Sequence, residues 1–480
     1  NKCAPNSSSS NLTCLLIPGW LVFENSAALL ILSLLSTTEI RYLNCVSVMI
    51  SNDITIFYIK NYITFIHKGK YIISKFTRDG ILKVGYDTLM FLKLFKFIFK
   101  IFICLFAAVV IYIGYLYVQS PTVVTRITSM IMGEATGDLE IINANEAFAL
   151  KYSSSKKISE DSLEAAINFS KNMDSHALLI YQGDEVILER YFDGFDAQTI
   201  SDTQSMHKTV LAMMVGIAIN DGMIKSVNEP ASNYLDEWKN DSRNLITIKH
   251  LLQQSSGLDY PEFSFHPLSD FNKLMLGDDV TKMTLQQKAY RKPNQVFEYN
   301  GVNPQNLGLL LQRVYGKRYA ELLSEKLWQK FAQSDATVVL DSEKNQMPRT
   351  YCCLNATAKD WLRIGILILN EGQLGQKQIV PKSWITDMKT PAETNPNYGY
   401  LTWLGTKHQQ NRVYNPKSTA TGFHSEPFDD SDIVYLDGFG GQRVYVIPSK
   451  ELVIVRTGAG QMGWDDSVLP NTISRGIRND

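Results

Sequence analysis

The chain has 480 residues, a net charge of −1 and a hydrophobic fraction of 45%, an ordinary globular composition. With 47 Lys and Arg against 48 Asp and Glu, no cationic excess exists to neutralise phosphates, so the charge balance argues against a nucleic-acid partner. The length fits two or three folding units, and the six cysteines fall in no metal-binding spacing.

Residues 1–89 carry Ile/Tyr/Lys runs without clear periodicity and one short apolar stretch at 25–38. Two readings stand for them: upstream read-through before a start at Met90, or a small membrane-associated segment. Residues 90–118 read as an N-terminal transmembrane anchor. The run IFICLFAAVVIYIGYLYV (101–118) holds eighteen residues without a charge, enough for a bilayer core that needs roughly 17–25. Lys93, Lys96 and Lys100 precede it, and Glu134, Asp138 and Glu140 follow. That asymmetry orients the N-terminus inside and the rest of the chain outside the cytoplasm. A cleaved signal peptide is the competing reading, but no small-x-small site follows in YVQSPTVV.

Residues 119–158 read as a spacer ending in the polar run SSSKK, and 159–480 as the folded domain. SEDSLEAAINFSKNM (159–173) predicts a helix capped by Ser159, with Glu160 and Asp161 in its first turn. HALLIYQGDEVILERYF (176–192) predicts two strands around a Gly-Asp turn. Helices follow at 205–222, 246–258, 307–316 and 358–372, several closed by glycine. Cys352 and Cys353 read as two small strand or loop residues rather than a bridge, since neighbouring cysteines pair only with unusual backbone geometry. GGQRVYVIPSKELVIVRTG (440–458) predicts a closing hairpin. Strands at both ends of the domain with helices between them predict an α+β fold, an antiparallel sheet completed by distant parts of the chain.

The chemistry starts at Ser205 and Lys208. Residues three apart on a helix share a face, so Lys208 can reach the Ser205 hydroxyl. A serine is a weak nucleophile until a base takes its proton, and a lysine becomes that base when burial lowers its pKa. The helix start also favours a developing alkoxide. The alternative is an N-cap serine followed by a surface lysine. Ser-x-x-Lys alone is weak, since it recurs at Ser153–Lys156 and Ser154–Lys157 in the polar spacer.

The segments SMHKTV (205–210), VNEPASNYL (227–235), ITIKHLLQQSSGLDY (246–260), FEYNGVNPQNLGLLL (297–311), AKDWLRIGILILNEGQ (358–373) and DGFGGQRVYVIP (437–448) together carry a resemblance. In this order the chain resembles the serine β-lactamase and penicillin-binding-protein-like superfamily over about residues 166–460. The likeness is nearest the class C-like branch of carboxylesterases, D-amino-acid peptidases and 6-aminohexanoate-oligomer hydrolases. The resemblance implies a β-lactamase-like fold: an antiparallel sheet flanked by helices, a mostly helical subdomain, and the active site between them. It implies that Tyr299 faces Ser205 and Lys208 and shuttles the proton. The family's Tyr-x-Asn has Gly301 in third place here, which makes Asn303 a candidate substitute for the substrate-contacting amide. The family's Lys/His-Thr/Ser-Gly motif falls on Gly438, Phe439 and Gly440, with Gly441 following. Those residues are expected to receive the substrate, and the amides of Ser205 and Gly441 to hold the oxyanion. The basic residue of that motif is missing, which disfavours efficient β-lactam hydrolysis and fits an ester or amide without a carboxylate at that place. Tyr260 is a candidate pocket residue, and His207 is expected to pack rather than react.

Other motifs are set aside. GAGQMG (458–463) matches a dinucleotide fingerprint, but the seventeen residues after it leave no room for the helix, strand and acid such a site needs. No G-x-S-x-G elbow, H-E-x-x-H or P-loop occurs. The expectation is a membrane-anchored serine hydrolase that needs no cofactor and no metal and forms an acyl-enzyme on Ser205. Its expected partners are a small ester or amide substrate and the bilayer around 101–118; the sequence leaves the oligomeric state open. The rivals are a D-Ala peptide or β-lactam hydrolase of the same fold, and a silent peptidoglycan-binding relative.

Overall fold

The structure, a computed structural model, describes strand segments within residues 16–85 and the chain from Thr88 to Arg478. Residues 133–135, 146–147, 154–156, 418–419 and 462 are outside the description. Residues 1–112 and 113–480 form two compact units. In the first, strands between Ser47 and Gly85 pair in sequence order as a five-stranded antiparallel sheet. The stretch 25–38 lies outside the described residues, as does most of the rest of 1–46.

Helix α1 (Thr88–Gln119) contains the apolar run. Its segment Leu94–Gln119 has a mean hydropathy of 2.6 with none of its most apolar stretch buried, and is long enough to cross a membrane. The stretch expected as a spacer is structured instead. After Ser120 comes α2 (Pro121–Met132), and Leu139–Ile142 pairs antiparallel with Ala336–Val339. Val123 and Arg126 are the buried residues of α2; its other apolar residues stay partly or fully exposed, so its apolar pattern does not mark the docked face.

The centre of the domain is a six-stranded sheet. Its strands are β1 (Ser175–Gln182), β2 (Glu185–Tyr191), β3 (Trp403–Leu404), β4 (Val434–Gly438), β5 (Gln442–Ile447) and β6 (Leu452–Gly458). They lie in the order β2-β1-β6-β5-β4-β3, each pair antiparallel. The β1–β2 turn is the expected Gly-Asp pair, Gly183 and Asp184, both at positive φ as such a tight turn requires. Period-two alternation divides the strands between two cores. Leu179, Val444, Val446, Val453 and Val455 enter one, and Leu178, Ile180, Tyr445, Leu452 and Ile454 the other. Burial on both faces explains why these strands read as continuous apolar runs.

Helix α3 (Glu160–Asn172) starts at Ser159, whose hydroxyl accepts from the Ser162 amide as a cap should. It packs with the C-terminal helix Val468–Gly476 on one side of the sheet. Helix α4 (His207–Asn220) is buried almost all round, from His207 to Ala218, the pattern of a helix inside a core. The predicted helix at 246–258 is only Ile248–Leu252, because Gln254 takes φ +55 and the polar residues after it turn inward. Helices α5 (Asp270–Leu276), α6 (Val302–Tyr315) and α7 (Ala358–Leu369) complete the frame, and α7 covers β5 and β6. The result is the expected α+β architecture, an antiparallel sheet flanked by helices. The expected closing hairpin is β5–β6, but its leading glycines form the β4–β5 turn.

Candidate active site

Ser205 sits in a single 3-10 turn, Gln204–Met206, that leads directly into α4. Gln204 adopts φ +52, so the chain reverses sharply before the helix and leaves the half-buried Ser205 at its positive end. One turn on, Lys208 is only 3% exposed. Its Nζ lies 2.7 Å from Ser205 Oγ and also donates to the Tyr351 carbonyl. The same nitrogen stands 4.7 Å above the centre of the Tyr299 ring. Loss of hydration pushes the Lys208 amine down to about 7, and the Asp437 carboxylate opposes this in part. Near neutral pH much of this amine is therefore a free base beside a hydroxyl.

Tyr299 comes from the segment ahead of α6. Its amide donates to the Tyr414 carbonyl at 2.9 Å, and Asn415 Nδ2 donates to its carbonyl at 3.3 Å. Its ring is boxed by Tyr398, Trp403 and Tyr414, with centroids 5.4–6.1 Å away. Burial, then the neighbouring Tyr398 phenol and the Asp437 carboxylate, raise the phenol well above its usual pKa, while hydrogen bonding with Ser205 lowers it in part. The phenol is therefore neutral and able to pass a proton. Ser205, Lys208 and Tyr299, which come from two segments about ninety residues apart, thus meet at one point.

The expected substrate residues are distributed differently. Gly438 ends β4 against the turn before Ser205: a Cβ there would lie 2.2 Å from the Thr203 carbonyl oxygen. Phe439 is 63% exposed at the tip of the β4–β5 turn. Gly440 and Gly441 have φ +75 and +85 and back onto Gly460 and Trp464. Tyr260 is half-buried and stacks edge-on with Phe271. Asn303 lies deeper than the other candidates. It is fully buried in α6, where its Nδ2 donates to Gln254 at 2.8 Å and its Oδ1 accepts from Ser256 at 2.5 Å. Each end of its amide thus has a partner inside the protein.

His207 packs as expected. Its Nδ1 lies 2.7 Å from the Cys352 carbonyl, which only accepts, so Nδ1 carries the proton and Nε2 accepts from Tyr319. Burial lowers its pKa to about 4 and keeps it neutral. A correction falls on Cys352 and Cys353, which are joined as a disulfide; Cys353 takes φ +70, the unusual backbone that bridging neighbours requires. This segment frames the site: Tyr351 accepts from Lys208, and the Cys353 amide donates to Gln204.

A buried ionic cluster behind Tyr299 had no signal in the sequence. Arg412 lies over Trp403 at 3.7 Å and bonds Asp437 Oδ2 at 2.6 Å. Arg443 bonds Asp437 Oδ1 at 2.7 Å and Asp466 at 2.5 Å, and Tyr414 donates to Asp437. Burial alone would raise the Asp466 carboxyl; Arg443 and Arg412 hold it down to about 2. Its members are separated by 6 to 54 positions in the chain, so no local pattern announces them. A separate cavity of about 660 Å³, lined by Glu237, Asp241, Ser242, Arg243, Lys282 and Lys288 among others, includes none of Ser205, Lys208 and Tyr299.

A family model described as Beta-lactamase matches residues 161–463. The 6-aminohexanoate-dimer hydrolase of Paenarthrobacter ureafaciens is 26% identical over 220 residues, 44% of this chain and 55% of that protein. The chain thus spans about half the length of that curated relative. A Bacillus anthracis protein assigned as a 6-aminohexanoate-dimer hydrolase superposes with a TM-score of 0.58 at 19% identity, over 73% of this chain and 92% of its own. A family VIII carboxylesterase gives 0.52 at 15% identity, over 70% of this chain and all of its own.

Proposed function

The chain belongs to the beta-lactamase family of hydrolases, and on that premise we propose that it cleaves an ester or amide through an acyl-enzyme on Ser205. The observation that carries this reading is the buried Lys208 amine 2.7 Å from Ser205 Oγ. Ser205 Oγ attacks the carbonyl carbon as its proton passes to Lys208. Tyr299 relays that proton to the departing alkoxide or amine. The amides of Ser205 and Gly441 hold the oxyanion, with Gly438, Phe439 and Gly440 bordering the substrate. Water, deprotonated by the same amine, then releases the acyl group. No cofactor enters these steps.

An ester or amide lacking a carboxylate is favoured over a D-Ala peptide or a β-lactam. Arg412 and Arg443 of the buried cluster are bound to Asp437 and Asp466 and are no more than 4% exposed, so neither is offered to a ligand carboxylate. We further propose that α1 anchors the chain in a membrane through residues 101–118, N-terminus inside, with the hydrolase domain outside the cytoplasm.

Turnover of p-nitrophenyl esters, D-amino-acid amides and nitrocefin by wild type and Ser205→Ala tests the reading. Ser205-dependent turnover of the ester or amide, with little nitrocefin hydrolysis, supports it. Equal turnover by Ser205→Ala overturns the mechanism, and a clear nitrocefin preference overturns the substrate class. Binding of peptidoglycan peptides without turnover of any substrate supports a silent relative instead.

A further inference from the structure

Between the shortened helix at 248–252 and α5, the loop PEFSFHP (261–267) points two phenylalanines at solvent. Phe263 is 66% exposed and Phe265 90% exposed. They are packed on each other rather than scattered: the two rings meet edge to face at 4.8 Å, and Phe263 meets Phe271 of α5 at 5.3 Å. Phe271 in turn stacks on Tyr260 at 6.3 Å. An apolar cluster left in water forfeits the burial that otherwise stabilises each ring.

This cluster is joined to the site through α5. The Tyr351 hydroxyl lies 3.4 Å from the carbonyls of Leu274 and Met275 in α5, while the Tyr351 carbonyl holds Lys208. It is joined to the apolar helix through the same element. The N–H of Ser120 bonds to Leu116 and that of Val124 to Ser120, so α2 follows α1 with no slack. Arg126 of α2 then donates to Leu276 and Gly277 at the end of α5, and Thr122 approaches Asp278. The lip is thus linked to the end of α1 through two short packed helices, α5 and α2. Met130, Ile131 and Met132 at the end of α2 are also exposed.

We propose that Phe263 and Phe265 form a lip that rests in the surface of a lipid bilayer and passes a long-chain amphiphilic ester or amide to Ser205. The inference rests on the acyl-enzyme reading above. Exposed aromatic and aliphatic side chains are what enters the headgroup–acyl boundary, and α2, which begins three residues after the apolar run, is docked on the end of α5. The bond changes are those of the acyl transfer; the lip alters which substrate arrives.

The test uses the full chain in phosphatidylcholine vesicles, with p-nitrophenyl acetate in solution and p-nitrophenyl palmitate in the bilayer. The double variant Phe263→Ser/Phe265→Ser is expected to lose about tenfold or more of palmitate kcat/KM while acetate stays within about twofold. Unchanged palmitate turnover, or an equal fall for both esters, overturns the lip. An equal loss on palmitate dispersed without vesicles assigns the rings to chain binding alone and overturns the bilayer contact. Ser205→Ala separates the layers: if acetate turnover depends on Ser205 and the lip variant changes nothing, only the lip fails. If Ser205→Ala hydrolyses acetate like wild type, the acyl-enzyme reading fails and the lip with it.

Discussion

Protonation of Lys208 should switch the enzyme off along a defined curve. Burial brings this amine from 10.5 to about 7, a difference of roughly 5 kcal/mol between its two protonation states. Only the neutral amine can take the Ser205 proton, so kcat/KM rises with pH, reaches half its plateau near 7, and falls about tenfold per unit below that. At pH 5 about one hundredth of the plateau remains. Stability moves in the same direction. Below pH 7 folded and unfolded chains both hold the proton, and the fold bears the whole desolvation cost. Between about 7 and 10.5 the unfolded chain binds a proton that the folded chain does not, so stability climbs with pH across that window. Lys208→Met, which fills the same space without the charge, is expected to abolish turnover yet unfold at pH 6 no earlier than wild type. The assay is kcat/KM on p-nitrophenyl acetate from pH 5 to 9 at fixed ionic strength, beside thermal melts. A flat profile through pH 7, activity that rises toward acid, or a Lys208→Met protein that melts much earlier would refute the buried-base argument.

Tyr299→Phe removes the proton relay while leaving the aromatic box, so kcat should fall about 10²-fold or more with little change in KM or melting temperature. Gly438→Ala places a Cβ 2.2 Å from the Thr203 oxygen, which is backbone and cannot swing aside. Steady-state kinetics should show a large loss of kcat, and denaturant melts a loss of about 1–3 kcal/mol; a silent alanine would mean β4 does not brace the Ser205 turn. Asn303→Ala should cost about 1–3 kcal/mol in stability by orphaning Gln254 and Ser256, with KM for the surviving folded protein unchanged. A raised KM at full stability would mark Asn303 as a substrate contact.

What could be read from the chain was what is local. The cap at Ser159, the Gly-Asp turn, the apolar α4 and the spacing of Ser205 and Lys208 each depend on neighbours within a few residues. The place of Tyr299 was legible through a resemblance spread over several segments, not from its surroundings. The surroundings of Asn303 were not legible, because sequence proximity to Tyr299 does not fix direction: α6 begins at Val302 and turns this amide toward Gln254. The Cys352–Cys353 bridge depends on a positive φ at a non-glycine residue, which composition does not announce. The Arg412–Asp437–Arg443–Asp466 cluster joins the strand Asn411–Val413, β4, β5 and the segment before the last helix, contacts that exist only once the sheet has closed. The docking of α2 was hidden for a similar reason, since its buried Arg126 bonds to carbonyls about 150 positions further along the chain.

The central claim is that Ser205 becomes acylated or phosphonylated because Lys208 takes its proton. Treating the full chain with a fluorophosphonate and sequencing the modified peptide by mass spectrometry tests this most directly. One adduct is expected on Ser205, absent from Ser205→Ala and strongly slowed in Lys208→Met at pH 8. An adduct on another residue, or equal labelling of the wild type and Ser205→Ala, would contradict it.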